Sequence, residues 1–240
     1  MTATILETRG LSKRFGGLQV VADVNFSLPK GEIHCLIGPN GAGKSTFFRL
    51  ILGEHHPSAG EIFYKNEPIG LLHPHQRVKR GISVKFQVPG IFSSLTAEHN
   101  LRIALQHHCA LSELVEEVDR LLTFLRLDGS RRTLAGNLSH GQKQWLEIGM
   151  ALALKPDLLM LDEPTAGMSP DETFETGELV KNLNEGGMSI LAVEHDMNFV
   201  RQVAQRVTVL HFGKIFAQGT IDDIVSNERV AEIYLGHSHD

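Results

Sequence analysis

The chain has 240 residues, 42% of them hydrophobic and 21% charged, which is enough to bury a large core. Its net charge of −5 at pH 7 does not mark the surface as that of a polyanion binder, so nucleic acid is not an expected partner. No apolar run reaches the roughly 18 residues that span a bilayer, so we expect any membrane role to come through a partner.

Strand-like and helix-like segments alternate along the chain, and this pattern predicts an α/β fold built on a largely parallel sheet. The last two predicted strands flank Gly213 and predict a hairpin with a tight turn. The predicted strands are Ile5–Thr8, Val20–Leu28, Glu32–Ile37, Glu61–Tyr64, Ser83–Phe86, Leu158–Leu161, Ile190–Val193, Val207–Phe212 and Lys214–Gln218. The predicted helices begin near Lys44, Ala97, Glu113, His140, Glu172, Asn198, Ile221 and Arg229.

Residues 88–137, approximately, interrupt this alternation, because they hold two helix-like segments and no convincing strand. We interpret them as a helical subdomain inserted in the α/β core. No long Gly/Ser-rich or Pro-rich linker and no internal repeat marks a second unit. The sequence therefore predicts one domain over residues 1–240.

A phosphate-binding loop follows the predicted strand Glu32–Ile37. Residues Gly38–Ser45 match G-x-x-x-x-G-K-[ST], a loop whose glycines let backbone N–H groups close around phosphate oxygens. We expect Lys44 to reach the β- and γ-phosphates and the Ser45 hydroxyl to bind Mg²⁺. The pattern predicts nucleotide binding, but it does not indicate which process the nucleotide serves. The candidate nucleotide-binding residues are Gly38, Asn40, Gly41, Gly43, Lys44, Ser45 and Thr46.

Two carboxylates follow the apolar strand Leu158–Leu161. A continuous apolar run is typical of a strand buried on both faces, and ligands of α/β proteins bind at the carboxyl ends of such strands. We expect Asp162 to hold Mg²⁺, directly or through water, and Glu163 to accept a proton from the attacking water. Without the phosphate loop upstream, this pattern would be equally typical of an ordinary strand end.

The segment Leu138-Ser139-His140-Gly141-Gln142 resembles the Leu-Ser-Gly-Gly-Gln signature of ABC transporter ATPases, and it ends 20 residues before the acid pair, at positions 142 and 162. The resemblance implies a P-loop NTPase cassette with an inserted helical subdomain and an antiparallel β subdomain. It also implies that Ser139, Gly141 and Gln142 of one subunit bind the ATP held by the phosphate loop of another. Taken alone, Ser139 is more typical of a plain helix N-cap.

Three further residues match the same family. Phe15 resembles the aromatic residue that stacks on adenine, and Gln87 resembles the glutamine that links Mg²⁺ and the attacking water to the helical subdomain. His195 resembles the switch histidine that contacts the γ-phosphate and the catalytic acid. The resemblance therefore implies catalytic roles for Glu163, His195 and Gln87, and Mg²⁺ ligation by Ser45, Gln87 and Asp162.

The chain departs from the usual family pattern at two positions. His140 stands where the signature usually has glycine, and because Ser139 and Gly141 are intact we expect function to survive. Ser169 stands where many cassettes have aspartate, which weakens the expectation of a charged contact between subunits at that point.

Finer similarity points to two groups of importers. Lys13–Gly17, Ala166–Pro170 and Tyr234–Gly236 resemble cassettes of branched-chain amino-acid importers, whereas Gly141–Gly149 is closer to urea and short-amide importers. The leading hypothesis is an importer ATPase that uses ATP and Mg²⁺ at the cytoplasmic face of the membrane, with a branched-chain amino acid as the favoured solute and urea or a short amide as the alternative. Its expected partners are permease subunits, a second identical or related cassette and, indirectly, a solute-binding protein. A soluble ABC ATPase without a transport role and a non-ABC P-loop kinase are the alternatives.

Cysteine and histidine suggest no further site. Cys35 lies in an apolar run and Cys109 in a polar stretch, so we expect no disulfide and a reducing compartment. The 13 histidines include the clusters His55–His56, His73–His75, His107–His108 and His237–His239, none with the i,i+4 spacing of a helical metal site. We interpret them as solvated surface residues, and the last four residues as a frayed tail.

Overall fold

The structure is a computed structural model that describes residues 3–87, 90–106 and 108–235. The predictions made for His107, for Gly236 and for the tail from His237 to Asp240 lie outside the described residues. The predicted helical subdomain begins at Val88, which also lies outside them.

Ten strands and nine α-helices lie in the described ranges. The strands are β1 (Thr4–Phe15), β2 (Leu18–Pro29), β3 (Ile33–Ile37), β4 (Ala59–Tyr64), β5 (Glu67–Pro68), β6 (Ile82–Lys85), β7 (Leu158–Asp162), β8 (Ser189–Val193), β9 (Arg206–His211) and β10 (Lys214–Gly219). The helices are α1 (Lys44–Leu52), α2 (Pro74–Val78), α3 (Ala97–Leu105), α4 (Leu114–Phe124), α5 (His140–Leu152), α6 (Pro170–Glu185), α7 (Met197–Val203), α8 (Ile221–Val225) and α9 (Glu228–Leu235).

The first sheet is antiparallel, with the strand order β2-β1-β4-β5. Thr8 lies in the middle of this sheet, paired with Phe26 on one side and Ile62 on the other. The first strand extends well beyond the predicted Ile5–Thr8, because a register shift and the positive φ of Gly10 break the apolar alternation after Thr8. After a shift of this kind the alternation of buried and exposed residues changes phase, so the second half of the strand does not continue the pattern of the first.

The second sheet has six strands in the order β10-β9-β3-β8-β7-β6, and all its pairings are parallel except that of β9 with β10. Every residue of β3 and β8 is buried, as expected for central strands covered on both faces. The hairpin predicted around Gly213 is confirmed. The predicted α/β fold on a largely parallel sheet is also confirmed.

The described residues between β6 and β7 contain three α-helices, two short 3-10 helices and no named strand. Helix α3 begins at an N-cap, where the Thr96 side chain accepts a hydrogen bond from the His99 amide, and it packs against α4 and α5. The apolar faces of these helices join one continuous core with the parallel sheet. An inserted helical segment is therefore part of the fold, and the exact limits 88–137 stay a prediction.

Helix α2 and strand β5 were absent from the sequence prediction, because elements of five and two residues are too short to show a period. Arg77 of α2 is completely buried. Its guanidinium donates hydrogen bonds to four backbone carbonyls, two at the end of α1 and two between β5 and α2: Leu50, Ile51, Gly70 and Leu72. Burial lowers the pKa of Arg77 to about 10, which leaves it charged at neutral pH.

Four predicted helix starts differ by one or two residues from the observed ones, and the largest difference is at α6. Helix α6 begins at Pro170 and not at Glu172, because Ser169 is its N-cap and forms a capping box with Glu172.

Both cysteines are free thiols. Across the described ranges, no helix has the length and apolar character needed to cross a membrane.

Candidate nucleotide and hydrolysis site

Four neighbouring parallel strands end at the same edge of the second sheet, and each is followed by a predicted site residue. In spatial order these strands are β3, β8, β7 and β6. The phosphate loop follows β3 and His195 follows β8, whereas Asp162 ends β7 and Gln87 follows β6. Because carboxyl ends of parallel strands meet at one edge, residues far apart in the chain converge there.

The phosphate loop is held tightly against its surroundings by two glycines. Gly38 has φ +149° and Gly43 has φ +101°, and a Cβ on Gly43 would lie 2.6 Å from the Val20 carbonyl oxygen. A Cβ on Gly38 would clash with the carbonyl oxygen of Leu210. These positions need glycine because the loop backbone passes directly against β2 and β9.

Lys44, the first residue of α1, is folded back onto this loop. Its Nζ donates hydrogen bonds to the carbonyl oxygens of Gly38, at 2.6 Å, and Pro39, at 3.1 Å. Burial lowers the pKa of Lys44, and the nearby carboxylates of Glu163 and Asp162 oppose that shift. The ammonium therefore lies within electrostatic range of the acid pair, inside a loop shaped for an anion.

Glu163 contacts both residues that resemble its partners in the family. Gln87 Nε2 donates a hydrogen bond to Glu163 Oε2 at 2.9 Å, and His195 Nδ1 lies 3.7 Å from Glu163 Oε1. Glu163 itself has φ +45°, a left-handed conformation that is unfavourable for a residue with a Cβ. Such strain is common where a side chain must be aimed at a reacting group.

Asp162 is the second acid of this pair. Burial raises the pKa of its carboxyl, and the charge of Glu163 raises it further. An acid in this environment is stabilised in its charged form by any cation that reaches it.

The signature segment forms the start of α5. Ser139 is the N-cap of this helix, its Oγ donates to Glu172 Oε1 at 3.2 Å, and it shares a capping box with Gln142. Gly141 packs so closely on Glu172 that a Cβ would lie 2.6 Å from the carboxylate oxygen. His140 is exposed, and its Nε2 donates to the Ala166 carbonyl oxygen at 2.7 Å.

The predicted site residues fall into two groups in this chain. The phosphate loop, Asp162, Glu163, Gln87 and His195 converge at one sheet edge. Among the described residues, the side-chain hydrogen bonds of Ser139 and Gln142 reach Glu172, Ser130 and each other, and none reaches the phosphate loop.

Several candidates are accessible to a ligand. Phe15 is 42% exposed at the end of β1, where its ring makes an edge-to-face contact with His55. Asn40, Gly41 and Ser45 are exposed and Thr46 is half-buried, so one side of the phosphate loop is open to solvent.

The structure adds two charged residues that sequence reasoning did not assign. Glu194 is fully buried, and its carboxylate accepts hydrogen bonds from the Thr165 amide and hydroxyl and from the amides of His195 and Asp196. Lys85 is also fully buried and donates to the carbonyl oxygens of Asp162 and Glu163. A charged residue within or directly after a buried strand was the signal that could have indicated both.

Comparison with known proteins places this geometry in a family. The sequence profile of the ABC transporter family matches residues 21–166. A probable branched-chain amino acid transport ATP-binding protein, LivG of Archaeoglobus fulgidus, is 35% identical over 97% of this chain and 95% of its own length. A lipopolysaccharide export system ATP-binding protein, LptB of Acidithiobacillus ferridurans, is 34% identical over 97% of each chain.

Solved structures show the same fold. The ADP conformation of an ATP-binding cassette of an ABC transporter superposes with a TM-score of 0.89 at 31% identity, covering 98% of this chain and all of that one. A dimeric cassette in a post-hydrolysis state, bound to ADP and phosphate, superposes with a TM-score of 0.80 at 25% identity, covering 90% and 99% of the two chains. The cassette fold predicted from the signature is confirmed, and this chain belongs to the ABC transporter family as an ATP-binding, ATP-hydrolysing subunit.

Proposed function

We propose that this chain powers the uptake of a branched-chain amino acid, as a peripheral subunit on the cytoplasmic face of a membrane transporter. The observation that carries its ATPase chemistry is the Gln87–Glu163 hydrogen bond at the sheet edge shared with the phosphate loop. For the solute, the support is the similarity to LivG along nearly the whole chain.

ATP binds with its phosphates in the loop Gly38–Ser45. The ammonium of Lys44 leaves the carbonyls of Gly38 and Pro39 and turns to the β- and γ-phosphates, while the exposed ring of Phe15 stacks on adenine. Asn40, Gly41, Gly43 and Thr46 complete the contacts to the nucleotide.

The residues near the phosphates fit a magnesium ion. The hydroxyl of Ser45, the carboxylate of Asp162 and the side-chain amide oxygen of Gln87 are hard oxygen donors, the class that Mg²⁺ prefers. Asp162 is also an acid whose environment favours a cation, since burial and the neighbouring charge of Glu163 raise its pKa. When bound, Mg²⁺ neutralises charge on the β- and γ-phosphates.

Glu163 acts as the general base. Its Oε2 accepts a hydrogen bond from Gln87, and its Oε1 lies 3.7 Å from His195 Nδ1, so the carboxylate stands between these two side chains. The carboxylate takes a proton from the attacking water, and His195, 60% exposed, is free to contact the γ-phosphate.

The site is completed by a second cassette, identical or related. Ser139, Gly141 and Gln142 lie at a helix N-terminus, whose backbone N–H groups and dipole favour an anion. We propose that they cover the γ-phosphate held by the partner's phosphate loop. The solved dimer with ADP and phosphate supports a two-cassette assembly for this fold.

We propose one domain over residues 1–240, in which the helical subdomain at about 88–137 contacts the permease subunits. A solute-binding protein is then an indirect partner. The run Gly141–Gly149 favours a second candidate, a urea or short-amide importer.

The test is to co-purify the chain from membranes, identify the permease and solute-binding proteins by mass spectrometry, and reconstitute them in vesicles with ATP on the cassette side. We expect ATP-dependent uptake of radiolabelled leucine, and no uptake by the same vesicles carrying Glu163→Gln. Uptake of urea or acetamide in place of leucine identifies the second candidate. Co-purification with lipopolysaccharide-export components, or with no membrane protein, contradicts the importer proposal.

A further inference from the structure

We infer that Lys85 is a positioning residue for ATP hydrolysis, whose buried ammonium holds the backbone turn of Asp162 and Glu163, while Glu147 of the signature helix holds the segment after Gln87 through the Gly90 amide. This inference rests on the proposed role of Glu163 as the general base. Lys85 is placed to act through the backbone of the acid pair, so it is not itself a catalytic residue.

The first support is the geometry around the ammonium. Lys85 is the last residue of β6 and is fully buried. Its Nζ donates hydrogen bonds to the carbonyl oxygens of Asp162, at 3.2 Å, and Glu163, at 3.3 Å. These two carbonyls lie where β7 ends, so one side chain crosses from β6 to the backbone that carries both acids.

This backbone needs support because of its conformation. Glu163 has φ +45°, and a left-handed glutamate persists only where its surroundings hold it. On the amide side, Glu163 N–H donates to the Val193 carbonyl oxygen of β8 at 2.9 Å. On the carbonyl side, the Glu163 oxygen accepts from the Lys85 ammonium and also from the Ala166 amide at 3.2 Å. The turn is therefore held between the strands on either side of β7, which sets the direction of the carboxylate.

The second support is the charge balance. A buried ammonium is unfavourable unless nearby carboxylates compensate it. Burial lowers the pKa of Lys85, and the opposing influence comes first from Glu147 and then from Asp162, Glu194 and Glu163. Glu147 lies on α5, is 6% exposed, and has an Oε2 without a hydrogen-bond partner in the described part of the chain. Among the nearby carboxylates, Glu147 therefore opposes the effect of burial on Lys85 most strongly.

Glu147 also connects to the segment after Gln87. Its Oε1 accepts a hydrogen bond from the Gly90 amide at 3.0 Å. The chain is thus held before Gln87 by Lys85 and after it by Glu147. Because Gln87 Nε2 donates to Glu163 Oε2, this arrangement sets the position of the glutamine relative to the carboxylate that it orients.

The experiment uses steady-state hydrolysis by the assembled transporter. Lys85→Met keeps the length and apolar stem but removes the donors, and we expect kcat to fall about 10²-fold, the effect of a misplacement of about 1 Å. KM for ATP should not change, because the phosphate loop follows a different strand. Lys85→Arg should recover part of kcat, since a guanidinium can donate to both carbonyls.

Two further variants make the test specific. Glu147→Gln keeps an acceptor for Gly90 but removes the charge, and should lower kcat less than Lys85→Met. The double variant should be less impaired than the product of the two single effects, since it leaves no unpaired buried charge. Lys181→Met removes a lysine that is 40% exposed on α6 and should have no effect.

An unchanged kcat in folded Lys85→Met overturns the inference. A loss of activity that comes from a higher KM for ATP, and that Lys85→Arg does not recover, also overturns it. If Lys85→Met does not fold, the test rests on Lys85→Arg and Glu147→Gln. A native kcat in Glu147→Gln overturns the inference. A kcat of Lys85→Arg as low as that of Glu163→Gln also overturns it. Glu163→Gln measured in parallel separates the two proposals. Normal hydrolysis in that variant overturns the general base and this inference together, whereas slow hydrolysis with a normal Lys85→Met overturns this inference alone.

Discussion

Gln87 Nε2 donates a hydrogen bond to Glu163 Oε2 at 2.9 Å, although 76 residues separate the two along the chain. The pair joins the end of β6 to the end of β7, and it orients a carboxylate whose own backbone is left-handed. A base oriented in this way is the central feature of the proposed hydrolysis.

Replacing Glu163 by glutamine should slow ATP hydrolysis by about 10²–10⁴-fold, the contribution of a positioned general base. The substitution preserves shape and hydrogen-bond capacity, so ATP should still bind and should persist longer on the protein. Hydrolysis and nucleotide retention in the assembled transporter check this. Glu185→Gln, at the exposed end of α6, is the matched control and should behave as wild type. Near-normal turnover in Glu163→Gln would exclude the assignment.

Replacing Lys44 by alanine should weaken nucleotide binding as well as hydrolysis, because the ammonium is the cation closest to the phosphates in this loop type. Equilibrium binding of a fluorescent ATP analogue measures the first effect. The control is Lys79→Ala, an exposed lysine directly after α2. Unchanged affinity together with unchanged hydrolysis would contradict the phosphate-loop interpretation.

Mixing two inactive variants should restore part of the activity. Lys44→Ala damages the phosphate loop, and Ser139→Arg blocks the phosphate site that this residue is proposed to complete in the partner. If the variants are combined, some dimers contain one intact composite site, and hydrolysis should reappear. For the wild-type cassette, the rate should also rise more than linearly with protein concentration. Hydrolysis of first order in protein, with Ser139→Arg fully active, would show that each chain works alone.

Replacing His140 by glycine should leave ATP hydrolysis largely intact. The change removes one hydrogen bond to the Ala166 carbonyl oxygen, and a single hydrogen bond contributes about 0.5–1.5 kcal/mol, or about tenfold at most. Ser139 and Gly141, which are proposed to face the phosphate, remain in place. Steady-state kinetics of the assembled transporter measure the effect, and complete loss of activity would give His140 a direct role.

Replacing Arg77 by methionine should destabilise the fold by ~3 kcal/mol, because it removes four hydrogen bonds and leaves buried carbonyls without a donor. Urea unfolding of the purified chain measures this loss. Arg80→Met is the control, since Arg80 is 42% exposed and its loss should change stability by no more than about 0.5 kcal/mol. Equal stability of the two variants would show that the buried guanidinium contributes little.

The sequence by itself determined the local features of this protein. The phosphate loop could be identified from Gly38–Ser45 because phosphate binding requires its glycines and its lysine at fixed spacing within one short segment. The central strands β3, β7 and β8 were predicted because strands buried on both faces are continuous apolar runs. The signature identified the family, and with it the general architecture.

Only the tertiary structure decided the contacts that cross between elements. Nothing in the local sequence shows that Lys85 donates hydrogen bonds to the carbonyls of Asp162 and Glu163. Nor does it show that the Glu194 carboxylate accepts hydrogen bonds from backbone amides after both β7 and β8. A charged side chain has the same local pattern whether it meets water or a buried carbonyl. Which of the two it meets depends on strand order, and strand order is set by how all the apolar faces pack together.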